Sequence, residues 1–339
     1  MLGVPNFRVG VTRETFLPFG LEPLDRLGIP WERLPEEPAE LTPKLIAGYD
    51  ALLHFFVQVT AATLEGAERL ALIARHGVGL DMVDLDACTD RGVAVTITPD
   101  GITRPMASAT LSLILAVTHR LVERDRVVHE ARWEEGRFEV MGLGLRGRTL
   151  GVIGFGRIGR DLAHLIAPFE MRVLVSTPRL ADADAEAHGV TRVELDELLR
   201  EADVVVVACP LKPETHHLLN ARRLALLKPT AVLVNVARGA IVDQAALVEA
   251  LREGRLAGAG LDVFEREPVV AGEDILDTPH VVAAPHSLAY TDQLFRGTVE
   301  SACAAIAAVA AGTVPRHVAN PAVLENARFT EKLARLAAR

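Results

Sequence analysis

The sequence predicts an α/β fold of two parallel-sheet units, and three observations carry that reading. Short apolar runs recur along the chain with helix-like stretches between them, the pattern of strands covered on both faces by crossover helices. One run, Thr149 to Ile153, passes directly into Gly154-Phe155-Gly156-Arg157-Ile158-Gly159 and then into a segment of helical period. The chain has 339 residues, half of them hydrophobic, which is long for one domain and sufficient for two cores.

Taken in order, residues 1–104 read as a flavodoxin-like unit with strands at Arg8 to Val11, Ala51 to Phe55, Leu70 to Ala74 and Ala94 to Ile97. Glycines punctuate the end of the third strand in Arg75-His76-Gly77-Val78-Gly79-Leu80-Asp81. Such a loop either turns N–H groups toward an anion or is an ordinary strand-to-helix turn, and the residues alone leave both open. Met106 to Val122 is apolar nearly all round, as a buried connecting helix would be. Glu123 to Gly147 is a charged excursion bearing Trp133 and Phe138, which suit either a subunit contact or anchoring to their own domain. From Thr149 a second unit is predicted as a Rossmann-type doubly wound parallel sheet. Its strands continue through Arg172 to Ser176, Asp203 to Ala208, Ala231 to Val236, Leu256 to Val263 and His280 to Ala284, alternating with helices such as Gln244 to Glu253. A last helix, Glu300 to Ala311, followed by Val314-Pro315, is expected to end the ordered fold after the chain returns to the first unit. The expected domains are therefore 1–104 with 292–339 as a discontinuous substrate-binding domain, and 105–291 as the nucleotide-binding domain.

The glycine turn points to a dinucleotide. Ile158, Leu162, Leu165 and Ile166 give the following helix its period, and Pro168 closes it. Gly154 permits the turn, Gly156 lets the backbone approach a pyrophosphate at the positive helix end, and Gly159 allows close helix–strand packing. About 20 residues on, where an NAD site carries an acidic residue for the ribose 2′-hydroxyl, this chain has Ser176-Thr177-Pro178-Arg179. Arg179 suits a 2′-phosphate and Thr177 could bond either ribose, so the cofactor is read as NAD(P) with NADP favoured over NAD.

A net charge of −9 with no basic run argues against a nucleic-acid partner or an anionic membrane surface, and an anionic substrate would need local cations. Cys88, Cys209 and Cys303 lack metal-ligand spacing and fit a reducing compartment. No signal-like segment opens the chain, and the Leu111 to Val117 run is too short to span a bilayer, so a soluble cytoplasmic protein is expected. His216 and His217, being adjacent, cannot face one metal from a single helix face, and no metal site is expected.

Ligands of such sheets bind at the C-terminal ends of the strands. Three polar residues follow strands there: Arg238, Glu267 and His286. Each alone is unremarkable, but together they supply what hydride transfer to a 2-oxo acid requires. A guanidinium can pair with the substrate carboxylate and polarise the carbonyl, and an imidazolium supported by a carboxylate can give its proton to the carbonyl oxygen.

The ordered segments Arg75 to Asp81, Leu150 to Gly159, Asn235 to Asp243, Gly260 to Pro268 and Pro285-His286 resemble those of the D-isomer-specific 2-hydroxyacid dehydrogenase family over nearly the whole chain. That resemblance implies Arg238 as the carboxylate- and carbonyl-binding residue, His286 as acid/base and Glu267 as its partner. It implies that the Val78 and Gly79 amides help hold the carboxylate, and that Asp262 meets the nicotinamide carboxamide. The implied cofactor contacts are Gly154, Gly156, Arg157, Ile158, Gly159, Thr177, Arg179, Cys209, Pro210, Thr215, Ala237, Asp262 and His286. A homodimer through the nucleotide domain and an active site in the interdomain cleft are further implications. The chain departs from the family at Thr177, where aspartate is usual, at Ser108, where many relatives carry glutamate, and in Ser287-Leu288-Ala289-Tyr290-Thr291, which is less glycine-rich. His54-Phe55-Phe56-Val57-Gln58 is less basic than the same segment of phosphoglycerate dehydrogenases, so an unphosphorylated 2-oxo acid is expected. The alternatives are a formate- or phosphite-oxidising enzyme and a dinucleotide-sensing, corepressor-like binding protein on the same fold. Glu267 stands where the formate branch has glutamine and argues against that branch.

Overall fold

The computed structural model describes residues 6–12, 20–36 and 38–338. The chain forms two compact units, Met1–Ile102 with Tyr290–Arg339, and Thr103–Ala289. Both are α/β, as the strand and helix alternation predicts.

In the first unit, strands β1 (Val9–Val11), β2 (Trp31–Arg33), β3 (Ala51–His54), β4 (Leu72–Arg75) and β5 (Ala94–Thr96) form one parallel sheet in the order β2-β1-β3-β4-β5. Four of these were expected and each is shorter by one residue, with β4 also displaced to end at Arg75 instead of Ala74. The edge strand β2 was not, because two of its three residues are exposed charged groups and it offers no apolar run. One face of the sheet packs Val9, Val11, Leu53 and Leu72 against Ala302, Ile306, Phe329 and Leu333. The other packs Leu52, Ile73 and Val95 against Leu41, Ile46 and Leu64. The helix expected from Glu300 begins at Asp292, where the Thr291 hydroxyl caps the Leu294 N–H at 3.2 Å. Contrary to expectation, order does not end at Val314-Pro315. A further helix, Ala327–Ala337, buries Phe329, Leu333 and Leu336 at i, i+4, i+7 spacing, and its Lys332 ammonium donates to the carbonyls of Leu70 and Arg91, each at 2.7 Å.

In the second unit, β6 (Thr149–Ile153), β7 (Arg172–Ser176), β8 (Thr191–Arg192), β9 (Val204–Val207), β10 (Val232–Asn235), β11 (Gly258–Leu261) and β12 (Val281–Ala283) form a parallel sheet. Its order is β12-β11-β10-β9-β6-β7-β8. The chain runs outward from β6 to β8, then returns to the far side of β6 at β9, so the turn after β6 lies at the reversal of strand order where such sheets bind ligands. Valine dominates the central strands because both faces are covered.

The long helix is Pro99–Thr118, starting earlier than the expected Met106 and ending before Val122. Proline is pre-set for a first helical turn, which Pro99 occupies, and Arg120 at φ 52° breaks the run before a separate helix, Leu121–His129. At 20 residues it is longer than the apolar run Leu111 to Val117, and by length and composition alone it could cross a bilayer, a test that a buried core helix also passes. Here it serves as a core helix, with Ala107, Leu113, Ile114 and Val117 packed among Leu150, Val152 and Val234. The excursion beyond it leaves Trp133, Phe138 and Met141 exposed by 58, 77 and 80%.

Glycine sets one packing distance in the first unit: a Cβ at Gly297 would lie 2.7 Å from the Cα of Gly101. Gly297→Ala should therefore destabilise the protein by about 1–3 kcal/mol through forced separation of the two helices. Circular dichroism would show a lower thermal midpoint, and an unchanged one would mean that the helices already have room.

Candidate active site

The glycine turn is built as its spacing predicts. Gly154 has φ 91°, and a Cβ there would stand 2.8 Å from the Ala208 carbonyl oxygen and the Cys209 Cα, so only glycine lets this turn lie against the end of β9. Its N–H donates to the Ser176 carbonyl at 2.8 Å, tying the turn to the end of β7. Gly156 caps the helix Arg157–Ile166, and a Cβ on it would meet nothing within 4 Å, leaving open space where a pyrophosphate would approach the positive helix end. A Cβ on Gly159 would be 2.9 Å from the Gly154 carbonyl oxygen, the close helix-to-turn contact that the third glycine permits. Arg157 and Ile158 open this helix. These residues fit a dinucleotide.

Around the turn, the other expected cofactor residues occupy neighbouring strand ends. Thr177 and exposed Arg179 follow β7. A second guanidinium, which sequence reasoning missed, lies beside them: Arg192, closing β8, donates to the carbonyls of Pro178 at 3.4 Å and Leu180 at 3.5 Å. Beyond β9, the Thr215 hydroxyl donates to the Pro210 carbonyl at 2.8 Å, so Cys209, Pro210 and Thr215 share one folded turn. Burial pushes the Cys209 thiol up to about 11, which makes it a packed group rather than a nucleophile.

The three polar residues after β10, β11 and β12 are also held by neighbouring strand ends. Asn235, buried at the end of β10, accepts from the Ala237 N–H at 3.1 Å and donates to the Arg238 carbonyl at 2.9 Å, shaping the turn that carries Arg238. Glu267 accepts from the Phe264 N–H through Oε1 at 2.9 Å, while its Oε2 lies 2.6 Å from Nδ1 of His286. Desolvation pushes the Glu267 carboxyl up, but the hydrogen bonds from His286 and Phe264, with the charges of His286 and Arg238, outweigh it and hold Glu267 below the usual carboxylate range. An ionised Glu267 can only accept, so Nδ1 carries the proton of that bond and Nε2 is directed away from Glu267.

His286 has φ 54°, a strained conformation for histidine that its surroundings must hold. Asp262 helps to hold it: its Oδ1 accepts from the N–H groups of Ser287 at 3.0 Å and Leu288 at 3.1 Å. Burial raises the pKa of Asp262 despite those two bonds. Gly239 went unremarked in the sequence and is the tightest point of the site. A Cβ on it would fall 1.8 Å from the Phe264 carbonyl carbon, so the Arg238-Gly239 turn presses directly on the backbone leading to Glu267. The signal was present as a glycine beside a strand-end arginine, but the contact depends on strand order. Val78 and Gly79 belong to the first unit, in the loop after β4. Among the described residues no group of three or more His, Cys, Asp or Glu is placed to hold a metal ion.

Comparison with known proteins gives concordant findings. The family model described as D-isomer specific 2-hydroxyacid dehydrogenase, NAD binding domain, matches residues 111–287. A protein of Thermococcus onnurineus named glyoxylate reductase is 40% identical over 301 residues, covering 87% of this chain and 90% of that one. Among solved structures, the TT0316 protein of Thermus thermophilus shares 39% identity at a TM-score of 0.83, covering 92% of this chain and all of that one. The NADPH-dependent glyoxylate/hydroxypyruvate reductase of Sinorhizobium meliloti, solved with NADP and malonate, shares 31% identity at a TM-score of 0.79, covering 89% of this chain and 93% of that one.

Gly239→Ala should push the Arg238 turn away from Glu267, because a Cβ there would overlap the Phe264 and Glu265 backbone. A displacement of this kind costs about 10²-fold in kcat/KM. Near-normal turnover in a variant with native circular dichroism would mean that the two loops separate without consequence.

Proposed function

The chain belongs to the D-isomer-specific 2-hydroxyacid dehydrogenase family, and from that premise we propose that it reduces a small, unphosphorylated 2-oxo acid with NADPH, using Arg238, Glu267 and His286. The reaction class itself, NAD(P)-dependent reduction of small 2-oxo acids, follows from membership of the family. The observation that carries the residue assignment is the 2.6 Å contact of His286 Nδ1 with Glu267 Oε2, at the ends of β12 and β11, the second of which neighbours the strand before Arg238.

In this reading the bound dinucleotide supplies the hydride. Arg238 pairs with the substrate carboxylate and draws electron density from the carbonyl oxygen. His286, protonated on both nitrogens, gives the Nε2 proton to that oxygen as its bond to carbon becomes single, and keeps its Nδ1 proton, which it donates to the Glu267 carboxylate. Glu267 stabilises the imidazolium before transfer and fixes the ring orientation. Asp262 holds the turn of His286 and is the residue that would meet the cofactor amide. In the first unit, the Val78 and Gly79 amides are assigned to the carboxylate.

Two finer choices have support of different kinds. For NADP over NAD, the place after β7 has no carboxylate and two guanidiniums, Arg179 and Arg192. For an unphosphorylated substrate, the loop after β3 carries Phe55 and Phe56 with ring centroids 4.2 Å apart, and burial holds the neighbouring His54 neutral, so this segment supplies no cation for a phosphate. The exposed Trp133, Phe138 and Met141 support a homodimer through the excursion of the nucleotide unit, and the three cysteines without disulfides suit the cytoplasm. The acidic net charge gives no support to a nucleic-acid or anionic-membrane partner.

Oxidation of NADH and NADPH followed by absorbance, with glyoxylate, hydroxypyruvate, pyruvate, phenylpyruvate and 3-phosphohydroxypyruvate, tests the whole reading. NADPH should be preferred, Arg179→Ala should weaken NADPH alone, and the phosphorylated acid should be the poorer substrate. Silence with every acid would sink the proposal, and tighter use of 3-phosphohydroxypyruvate than of hydroxypyruvate would sink the substrate choice. His286→Ala should lower kcat by about 10²–10⁴-fold. Glu267→Gln removes the charge that favours the imidazolium, so the alkaline limb of the reduction profile should move toward lower pH; an unmoved limb would contradict the pairing.

A further inference from the structure

Arg75 ends β4 and His54 ends β3, and the two are register partners on adjacent parallel strands. Both are buried, at 5 and 0% exposure. Burial, with the nearby guanidinium, pushes His54 down to about 3, so its ring is neutral and has one N–H and one lone pair. Its Nε2 lies 2.6 Å from the Val57 carbonyl, which can only accept, so the proton sits on Nε2. Nδ1 is then the acceptor for Nη1 of Arg75, 3.2 Å away. The same guanidinium donates from Nε to the Gly79 carbonyl at 2.9 Å. One buried cation thus joins the loop after β3 to the loop after β4.

The second loop is held at both ends. At its start, the Gly77 N–H donates to the Thr98 hydroxyl at 2.8 Å, and the Gly77 carbonyl accepts from the Thr98 N–H at 3.0 Å. In a trans peptide the N–H opposes the C=O, so anchoring the Gly77 carbonyl turns the Val78 N–H the other way. At its end, Arg75 anchors the Gly79 carbonyl. Between these points, the Val78 and Gly79 amides donate to no acceptor among the described residues and are partly exposed. Two successive amides held in this way, with a fixed positive charge beside them, make an anion-binding concavity.

We propose that Arg75 is a positioning residue for the substrate carboxylate: it never touches substrate, but by fixing the Gly79 carbonyl while Thr98 fixes the Gly77 carbonyl it holds the far end of the loop that presents the Val78 and Gly79 amides, with His54 as the acceptor that locks the guanidinium. The inference rests on the reading of those amides as carboxylate ligands. It assigns Arg75 a role distinct from that of Arg238, since Arg75 is turned inward to Gly79 and His54.

Arg75→Met, assayed with the wild type's best 2-oxo acid, should raise KM by about 10-fold or more, the weight of a hydrogen bond to a charged group. At saturating acid kcat should stay within about twofold, and NADPH affinity measured by fluorescence should not change, because both depend on the second unit. Arg75→Lys, which keeps the charge but not the fork, should restore KM in part. An unchanged KM in a folded Arg75→Met protein would overturn the proposal, as would a parallel loss of kcat and NADPH affinity. Should that variant fail to fold, His54→Ala removes the acceptor and leaves Arg75, and it should still raise KM several-fold; a normal KM there would also overturn it. Wild-type protein that reduces no 2-oxo acid would bring down the underlying reading, whereas active wild type with indifferent Arg75 and His54 variants would bring down this inference alone.

Discussion

Parallel strand direction is the constraint on which this protein depends. When every strand in a sheet runs the same way, each must be followed by a crossover, and every strand's C-terminal end opens on the same edge. In the second unit that edge receives the glycine turn after β6, Thr177 and Arg179 after β7, Cys209 after β9, Arg238 after β10, Glu267 after β11 and His286 after β12. Strand order also makes neighbours of distant residues, as β6 and β9 show by pairing Leu150 with Val204. No local propensity could bring His286 to the same edge as Gly156.

Close backbone approach then determines how finely these groups are placed. Gly154 lies against Ala208 and Cys209, and Gly239 against Phe264 and Glu265, at distances that leave no volume for a side chain. Gly151 and Gly260 do similar work inside the strands, where a Cβ would strike Leu198 at 2.5 Å and Leu113 at 2.6 Å. Rigid cores on both faces prevent those contacts from relaxing, so the strained His286 turn and the Arg238 turn keep their orientation. The polar supports have the same character. Asn235 and Asp262 are buried and bond the backbone of the turns that carry Arg238 and His286, so those two side chains are positioned by polar groups behind them.

The first unit uses a buried charge where the second uses buried amide and carboxylate groups. Arg75 and His54 form a network in which each proton has a defined position, since a neutral imidazole between a carbonyl and a guanidinium admits one tautomer. The aromatic side chains near it are equally concentrated. Phe55, Phe56, Tyr290 and Phe295 form a chain of ring contacts that also includes His76, in a protein whose residues are only 4% aromatic.

The sequence by itself determined the α/β class, ten of the twelve strands among the described residues, the glycine turn and the positions of Arg238, Glu267 and His286 after strands, because apolar periodicity and motif spacing are local properties. It did not disclose the edge strands Trp31–Arg33 and Thr191–Arg192, which are short and exposed, or the extent of the helix from Asp292, whose start depends on one capping hydroxyl. The helix Ala327–Ala337 has its apolar residues at i, i+4, i+7 spacing and lies beyond Val314-Pro315, where a proline marks the expected end of the fold. Only the tertiary structure decided that Asp262 braces the His286 turn, that Gly239 sits against Phe264, that Arg192 joins Arg179 and that Arg75 anchors Gly79. The first two of these contacts link residues some 25 positions apart, and all four depend on strand register and on the direction in which a side chain leaves its sheet, which follow from the packing of the whole unit rather than from any stretch of the chain.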